Sequence, residues 1–268
     1  MGFLDYSVRP RVMVVANGHS YDRTALMGMF ESFEGMECFL VEHPIAEQVL
    51  NPDMTRGVDA IVLYDMPGGN PWTGPDYEVQ PSDTFKAGFR ALLVSGMPIV
   101  ALHHAIAGWT AWQDYAEFLG GKLIFFPASV RGTPTMDSGI RMDANFTVTA
   151  EDAAHPIFAG LPSFFTLNDE AYLFEVFEDR VTPVARTDFP LTDRNTHSLT
   201  LAMTGERGSN RGWVRPPGSN IIAWTKKALN SSLAYIQPGH SAQTYADPHY
   251  RRLVRNAIDW AMRESTRP

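Results

Sequence analysis

The stretch PIVALHHAIAGWTAWQDYAEFLGG, residues 98–121, reads as one β-strand running into one α-helix. Residues 98–103, PIVALH, are apolar at nearly every position, as in a strand covered on both faces. AIAGWTAWQDYAEFLGG (105–121) then predicts a helix. Between the two stand His103 and His104, where no propensity asks for imidazoles. Ala101 and Ala105 flank His103 at two residues on either side, the small residues that a tight strand-to-helix elbow needs. The pair therefore belongs to a site or to packing.

The same strand–helix alternation extends in both directions. RVMVVA (11–16), ECFLVE (37–42) and VDAIVLY (58–64) predict strands, separated by a helical pattern over 21–33. Ser82 and Gly96 bracket a helix over 82–96 as N-cap and stop. SSLAYIQPG (231–239) returns to a strand, and residues 247–265 close the chain as an amphipathic helix with Asp247 before Pro248. Alternating units of this kind imply an α/β fold, a parallel sheet with helices on both faces. From about residue 122 to 225 short strands alternate with proline-containing loops, a β-rich elaboration within one domain spanning 1–268.

A chain of 268 residues with 44% hydrophobic content can bury the core such a fold requires. Thirty acids against 22 bases leave a charge of −8, and no basic run exceeds two residues, which argues against nucleic acid and against anionic membranes. The single cysteine, Cys38, excludes an internal disulfide and a cysteine-rich metal site, and its place in MECFLVE suggests a buried structural thiol. No apolar run is long enough to span a bilayer, and Tyr6 stands where a myristoylation signal wants Ser or Thr. A cytoplasmic protein is the expectation.

Ligands of open parallel sheets bind beyond the carboxyl ends of the strands. Four loops there carry unusual residues: Asn17, Gly18, His19 and Asp22; Asp65, Gly68 and Gly69; His103 and His104; and Gln237, Gly239 and His240. The segment NDEAY adds Asp169, Glu170 and Tyr172. Beside a helix N-terminus the elbow would favour neutral imidazole, able to bind metal or accept a proton. His19, His103, His104 and His240 with Glu170 make a credible set for zinc, manganese or another divalent ion. Without metal, His103 or His104 with Glu170 and His240 could perform acid–base chemistry. His43, His155 and His197 read as structural. Gly68-Gly69 and Asp169-Glu170 each have a plain reading as turns, and Trp109 and Trp112 one as core packing. No nucleotide cofactor is expected.

VALHHAIAGWTAWQDYAEFLGG, HPIFAGLPSFFTLNDEAYLF and LAYIQPGHSAQTYADPHYRRLVRNAIDWA, with VVANGHSYD and IVLYDMPGG, resemble the ThuA-like (trehalose utilisation) family across nearly the whole chain. That family is similar to class I glutamine amidotransferases, with a flavodoxin-like sheet, and is associated with bacterial sugar metabolism. Amidotransferases place a cysteine where His103 stands. Their catalytic histidine has an acid two residues on, whereas His240 is followed by Ser241 and Ala242. Cys38 is in the wrong element to form a thioester, so no glutaminase activity is expected.

The resemblance implies work on a disaccharide or keto-sugar, beside a sugar oxidoreductase. A sugar carbonyl acidifies its neighbouring C–H, so that a base can start elimination of a glycoside. His103, His104, Glu170 and His240 would then be catalytic, with Asn17, His19, Asp65, Gly68, Gly69, Trp109, Asp169, Tyr172 and Gln237 lining the substrate. A carbohydrate-binding or regulatory protein on a degenerate amidotransferase fold is the alternative, and a homo-oligomer is left open.

Overall fold

The computed structural model describes Ser7 and residues 9–267, so Tyr6 lies outside the described residues. Ten strands form one sheet: β1 (Arg11–Ala16), β2 (Glu37–Glu42), β3 (Ala60–Leu63), β4 (Ile99–Leu102), β5 (Gly139–Ala150), β6 (Phe164–Leu173), β7 (Thr182–Thr187), β8 (His197–Ser198), β9 (Ile221–Ala228) and β10 (Ser231–Ile236). Their order is β8-β5-β7-β9-β10-β4-β3-β1-β2, with β6 also paired to β5. The half from β10 to β2 is parallel, as the strand–helix alternation predicts, and has the flavodoxin-like form that the family resemblance implies. The rest is antiparallel.

Side chains alternate across the parallel half. Val12, Val14, Val62, Val100, Leu102, Ala234 and Ile236 face α1 (Arg23–Glu31) and the C-terminal helix. Met13, Val15, Ile61, Leu63, Ile99, Ala101, Leu233 and Tyr235 face α2 (Asp83–Val94) and α3 (Gln113–Leu119). β1, β3, β4 and β10 are buried on both sides, which is why their sequences are largely apolar runs, whereas the edge strand β2 is only half-buried. Caps set the ends: Asp22 accepts from the Ala25 N–H, Ser82 from Phe85, and Asp247 from His249 and Tyr250. The last cap starts the C-terminal helix, Pro248–Arg263.

Two expectations need correction. The helix predicted over 105–121 does not follow β4 directly. A 3-10 turn occupies His103–Ala107, and α3 begins only at Gln113. The Trp109 N–H donates to the Pro67 carbonyl at 2.6 Å and Trp109 takes φ +45°, which diverts the chain before a helix can form. The N-terminus of α3 therefore does not stand at His103, and its dipole has no part in keeping the imidazoles neutral. The NDEAY segment, open to reading as an acidic turn, lies within strand β6. The region 122–225 contributes β5 to β8 and most of β9, which join the same sheet.

Candidate active site

The carboxyl ends of β1, β3, β4 and β10 meet at one edge, and the end of β6 is folded against them. His103 stands at the tip of β4 with φ +41°, a sparsely populated conformation held by the elbow, and is wholly buried. Its Nδ1 lies 2.6 Å from the Gln237 carbonyl oxygen at the end of β10. A carbonyl only accepts, so Nδ1 carries a proton and donates it there. That Nε2 is 2.6 Å from the Tyr172 hydroxyl and 3.2 Å from Glu170 Oε2, and the hydroxyl also reaches the carboxylate at 2.9 Å.

Glu170 is buried, which works to raise its carboxyl. The hydrogen bond and charge of His103, then His240 and the Tyr172 hydroxyl, outweigh this and hold it below the usual range. His104 is buried as well, and its Nε2 has no partner. Burial, then the neighbouring His103, His19 and His240, push its imidazole well below the ordinary value, so it is neutral. The His104 ring centre is 4.4 Å from that of His103 and 4.3 Å from that of His19. His240 Nδ1 lies 3.2 Å from Glu170 Oε2 without the alignment of a hydrogen bond. Burial lowers His240 and His19 too.

Two predicted residues hold this cluster from behind. Asp169 accepts the Gly239 N–H at 2.5 Å and the His240 N–H at 3.2 Å. Gln237 donates its side-chain amide to the Glu170 carbonyl at 2.8 Å. Such partners orient ligands and bases rather than touch substrate.

His103, His104, Glu170 and His240 each offer one donor atom, and these lie within 4.8 Å of one another. The donor set fits a divalent cation. The imidazoles of His104 and His240 are held neutral, with buried nitrogens that lack a hydrogen-bond partner, and His103 donates its other N–H to a carbonyl, the usual arrangement behind a metal-bound histidine. His19 is outside the set of four. Its Nδ1 contacts the Ser20 carbonyl at 2.8 Å, which leaves Nε2 basic.

Beside the cluster lies a cavity of about 560 Å³ lined by His19, His104, Glu170, Tyr172 and His240, with walls that include Trp72, Leu123, Phe125 and Ile140. His103 sits one layer behind. The other predicted residues lie off the cavity. Trp109 is buried against Phe85 and the His43 ring. Trp112 packs among Phe85, Phe89 and Tyr115. Asp65 pairs with His43 at 2.7 Å, and Asn17 donates to the His43 carbonyl. Gly68 and Gly69 let the β3 loop pass close to Trp109 and Tyr77. Residues that the sequence did not single out also line the cavity: Trp72, Arg141 and Arg207, together with His197, which the sequence suggested was structural. No spacing marks them, because they come from distant segments joined only by topology.

The sequence model of the family ThuA, described as trehalose utilisation, matches residues 11–261. The chain belongs to the ThuA family. No curated protein matches this ThuA-family chain. Among solved structures it is similar to a protein described as ThuA-like from Parabacteroides merdae, at 14% identity and TM-score 0.65, over 96% of this chain and 92% of that one. It is also similar to one from Bacteroides uniformis, at 14% identity and TM-score 0.61, over 97% and 95%. A GMP synthase component from Thermoplasma acidophilum shares 14% identity at TM-score 0.50, over 93% and 92%. At such identities the likeness is one of fold, and it joins ThuA-like chains to the amidotransferase architecture. Among the described residues no helix is long and apolar enough to cross a membrane.

Proposed function

We propose that this ThuA-family chain is an enzyme of sugar metabolism that cleaves a keto-glycoside by elimination at the His103–His104–Glu170–His240 cluster. The observation that carries the reading is the buried convergence itself. Three imidazoles and a carboxylate converge, two of the imidazole nitrogens without a hydrogen-bond partner, and all but His103 border a cavity with apolar walls. A site for passive binding of a neutral sugar needs amides and aromatic faces, not a concentration of ionisable groups.

The four residues would hold a divalent cation, which when bound supplies a positive charge to polarise a sugar carbonyl. His19 moves the proton. With Nδ1–H engaged by Ser20, its neutral Nε2 accepts the hydrogen from the carbon beside the ketone. For the glycosidic oxygen to leave, the ketone must stand two carbons from the anomeric carbon. The C–H electron pair then becomes the new C=C bond, the anomeric C–O bond breaks, and the leaving oxygen takes the proton back from His19. The products are an unsaturated keto-sugar and an alcohol. Cys38 lies on β2, three strands from β4, so the reading includes no glutaminase chemistry.

The test is incubation of zinc- or manganese-loaded protein with 3-keto-glucosides, following the absorbance of the conjugated product. His19→Gln should lower kcat by about 10²–10⁴-fold while the cation is retained. Wild-type protein that binds such compounds without turning them over would replace the enzyme with a carbohydrate-binding protein.

A further inference from the structure

Away from the His/Glu cluster, the cavity carries two arginines that nothing in the proposed reaction uses. Arg141 follows Ile140 on β5, and the strand register sets it opposite Ala171, between Glu170 and Tyr172 of β6. The register slips between Arg141 and Ala144, with Asp143 at φ +51°. An irregularity of this kind bends a strand and re-aims its side chains. Arg207 lies on the turn after α4 (Leu199–Met203), beside Gly208.

Neither guanidinium meets a carboxylate among the described residues. The one recorded contact of the Arg141 guanidinium is His197 Nε2, at 3.5 Å. Glu206, the neighbour of Arg207, is taken by Arg211 at 2.5 Å. His197 lines the same cavity, and its buried Nδ1 has no partner. Glu170 is the only carboxylate in the lining among the described residues, and it is already engaged by His103 and Tyr172. A chain with 30 acids and 22 bases thus gives one cavity two unpaired arginines and a half-buried imidazole donor. Both arginines are exposed at the cavity, so their guanidiniums are free to close on a ligand that supplies the opposite charge.

We propose that Arg141, Arg207 and His197 form an oxyanion subsite, and that the sugar taken by this site carries a phosphate or a carboxylate. The proposal rests on the cavity's being the substrate site, and it adds the substrate's charge. The guanidiniums bind the oxyanion through paired N–H donors, while the sugar ring reaches toward the His/Glu cluster.

Titration calorimetry on metal-depleted protein tests this with three probes: glucose 6-phosphate, glucuronate and glucose. At least one anionic probe should bind ten-fold or more tightly than glucose, and weaken as salt rises. Arg141→Gln/Arg207→Gln should abolish that preference, and Arg141→Lys/Arg207→Lys should restore part of it. Tighter binding of the phosphate than of the carboxylate would identify the first as the group, and the reverse the second. Equal affinity for glucose, no binding of any probe, or an anion preference surviving in the double Gln variant would each overturn the subsite. Arginine-dependent anion binding without turnover would defeat the proposed reaction and leave the subsite standing. Turnover of neutral keto-glucosides indifferent to both arginines would do the opposite.

Discussion

His103 Nδ1 lies 2.6 Å from the main-chain oxygen of Gln237, so the last strand of the parallel core holds the Nδ1 proton and the orientation of the imidazole at the tip of its neighbour. Nε2 is thereby turned to the side of Tyr172, Glu170 and the other cluster residues. The strained backbone of the elbow keeps it there.

The hydroxyl of Tyr172 bridges His103 Nε2 and Glu170 Oε2. Tyr172→Phe removes that bridge and keeps the ring, which stacks on His103 at 4.6 Å. The variant should fold, lose roughly 1.5–3 kcal/mol of stability, and keep its cation, because Tyr172 is not a donor in the cluster. Thermal melts and metal content check both halves. Loss of metal with unchanged stability would mean that the hydroxyl is itself a ligand.

Asp169 ties the β10 loop through the N–H groups of Gly239 and His240. In Asp169→Asn one acceptor oxygen is replaced by a donor facing those N–H groups. Cation affinity should fall by about 10–100-fold, as for other partners of ligating residues, and stability by roughly 1–3 kcal/mol. A competitive zinc titration measures the first.

Gly69 and Gly205 both have positive φ, +115° and +100°. A Cβ at Gly69 would collide with the Tyr77 carbonyl, whereas one at Gly205 meets open space. Gly205→Ala should cost about 1 kcal/mol for its backbone alone. Gly69→Ala should cost clearly more and disturb the loop entering the site. Urea unfolding of the two variants side by side gives the comparison.

His43 hydrogen-bonds Asp65 at 2.7 Å under the β3 loop. Burial opposes charge on His43, but the hydrogen bond and charge of Asp65, then Glu47, outweigh it and raise the imidazole above 6.5. A raised folded value means that the pair's stabilisation is complete below about pH 6.5 and fades as pH climbs through the folded value. His43→Gln should therefore destabilise the protein more at pH 6 than at pH 8.5. Equal differences in Tm at the two pH values would show that the imidazole stays neutral.

The parallel half of the fold was legible because strands buried on both faces must be apolar throughout, as RVMVVA and PIVALH are. The cluster was legible for a related reason: residues at the ends of parallel strands share one edge, which gathers His19, His103, His104 and His240 whatever their separation. The break at Trp109 was not, since it depends on a hydrogen bond to Pro67 from another loop. Nor were Arg141, His197 and Arg207, which reach the cavity only because β5 and β8 pair in the elaborated half. His103 and His104 look equivalent in sequence, yet the elbow turns one into the interior and sets the other against the cavity.

The metal content of protein purified without a histidine tag is the measurement to make, by elemental mass spectrometry after reconstitution with zinc or manganese. The expected result is near one divalent ion per chain in the wild type, lost in both folded His104→Ala and His240→Ala. Wild-type protein that holds no ion, or variants that hold as much as the wild type, would contradict a metal centre built from His103, His104, Glu170 and His240.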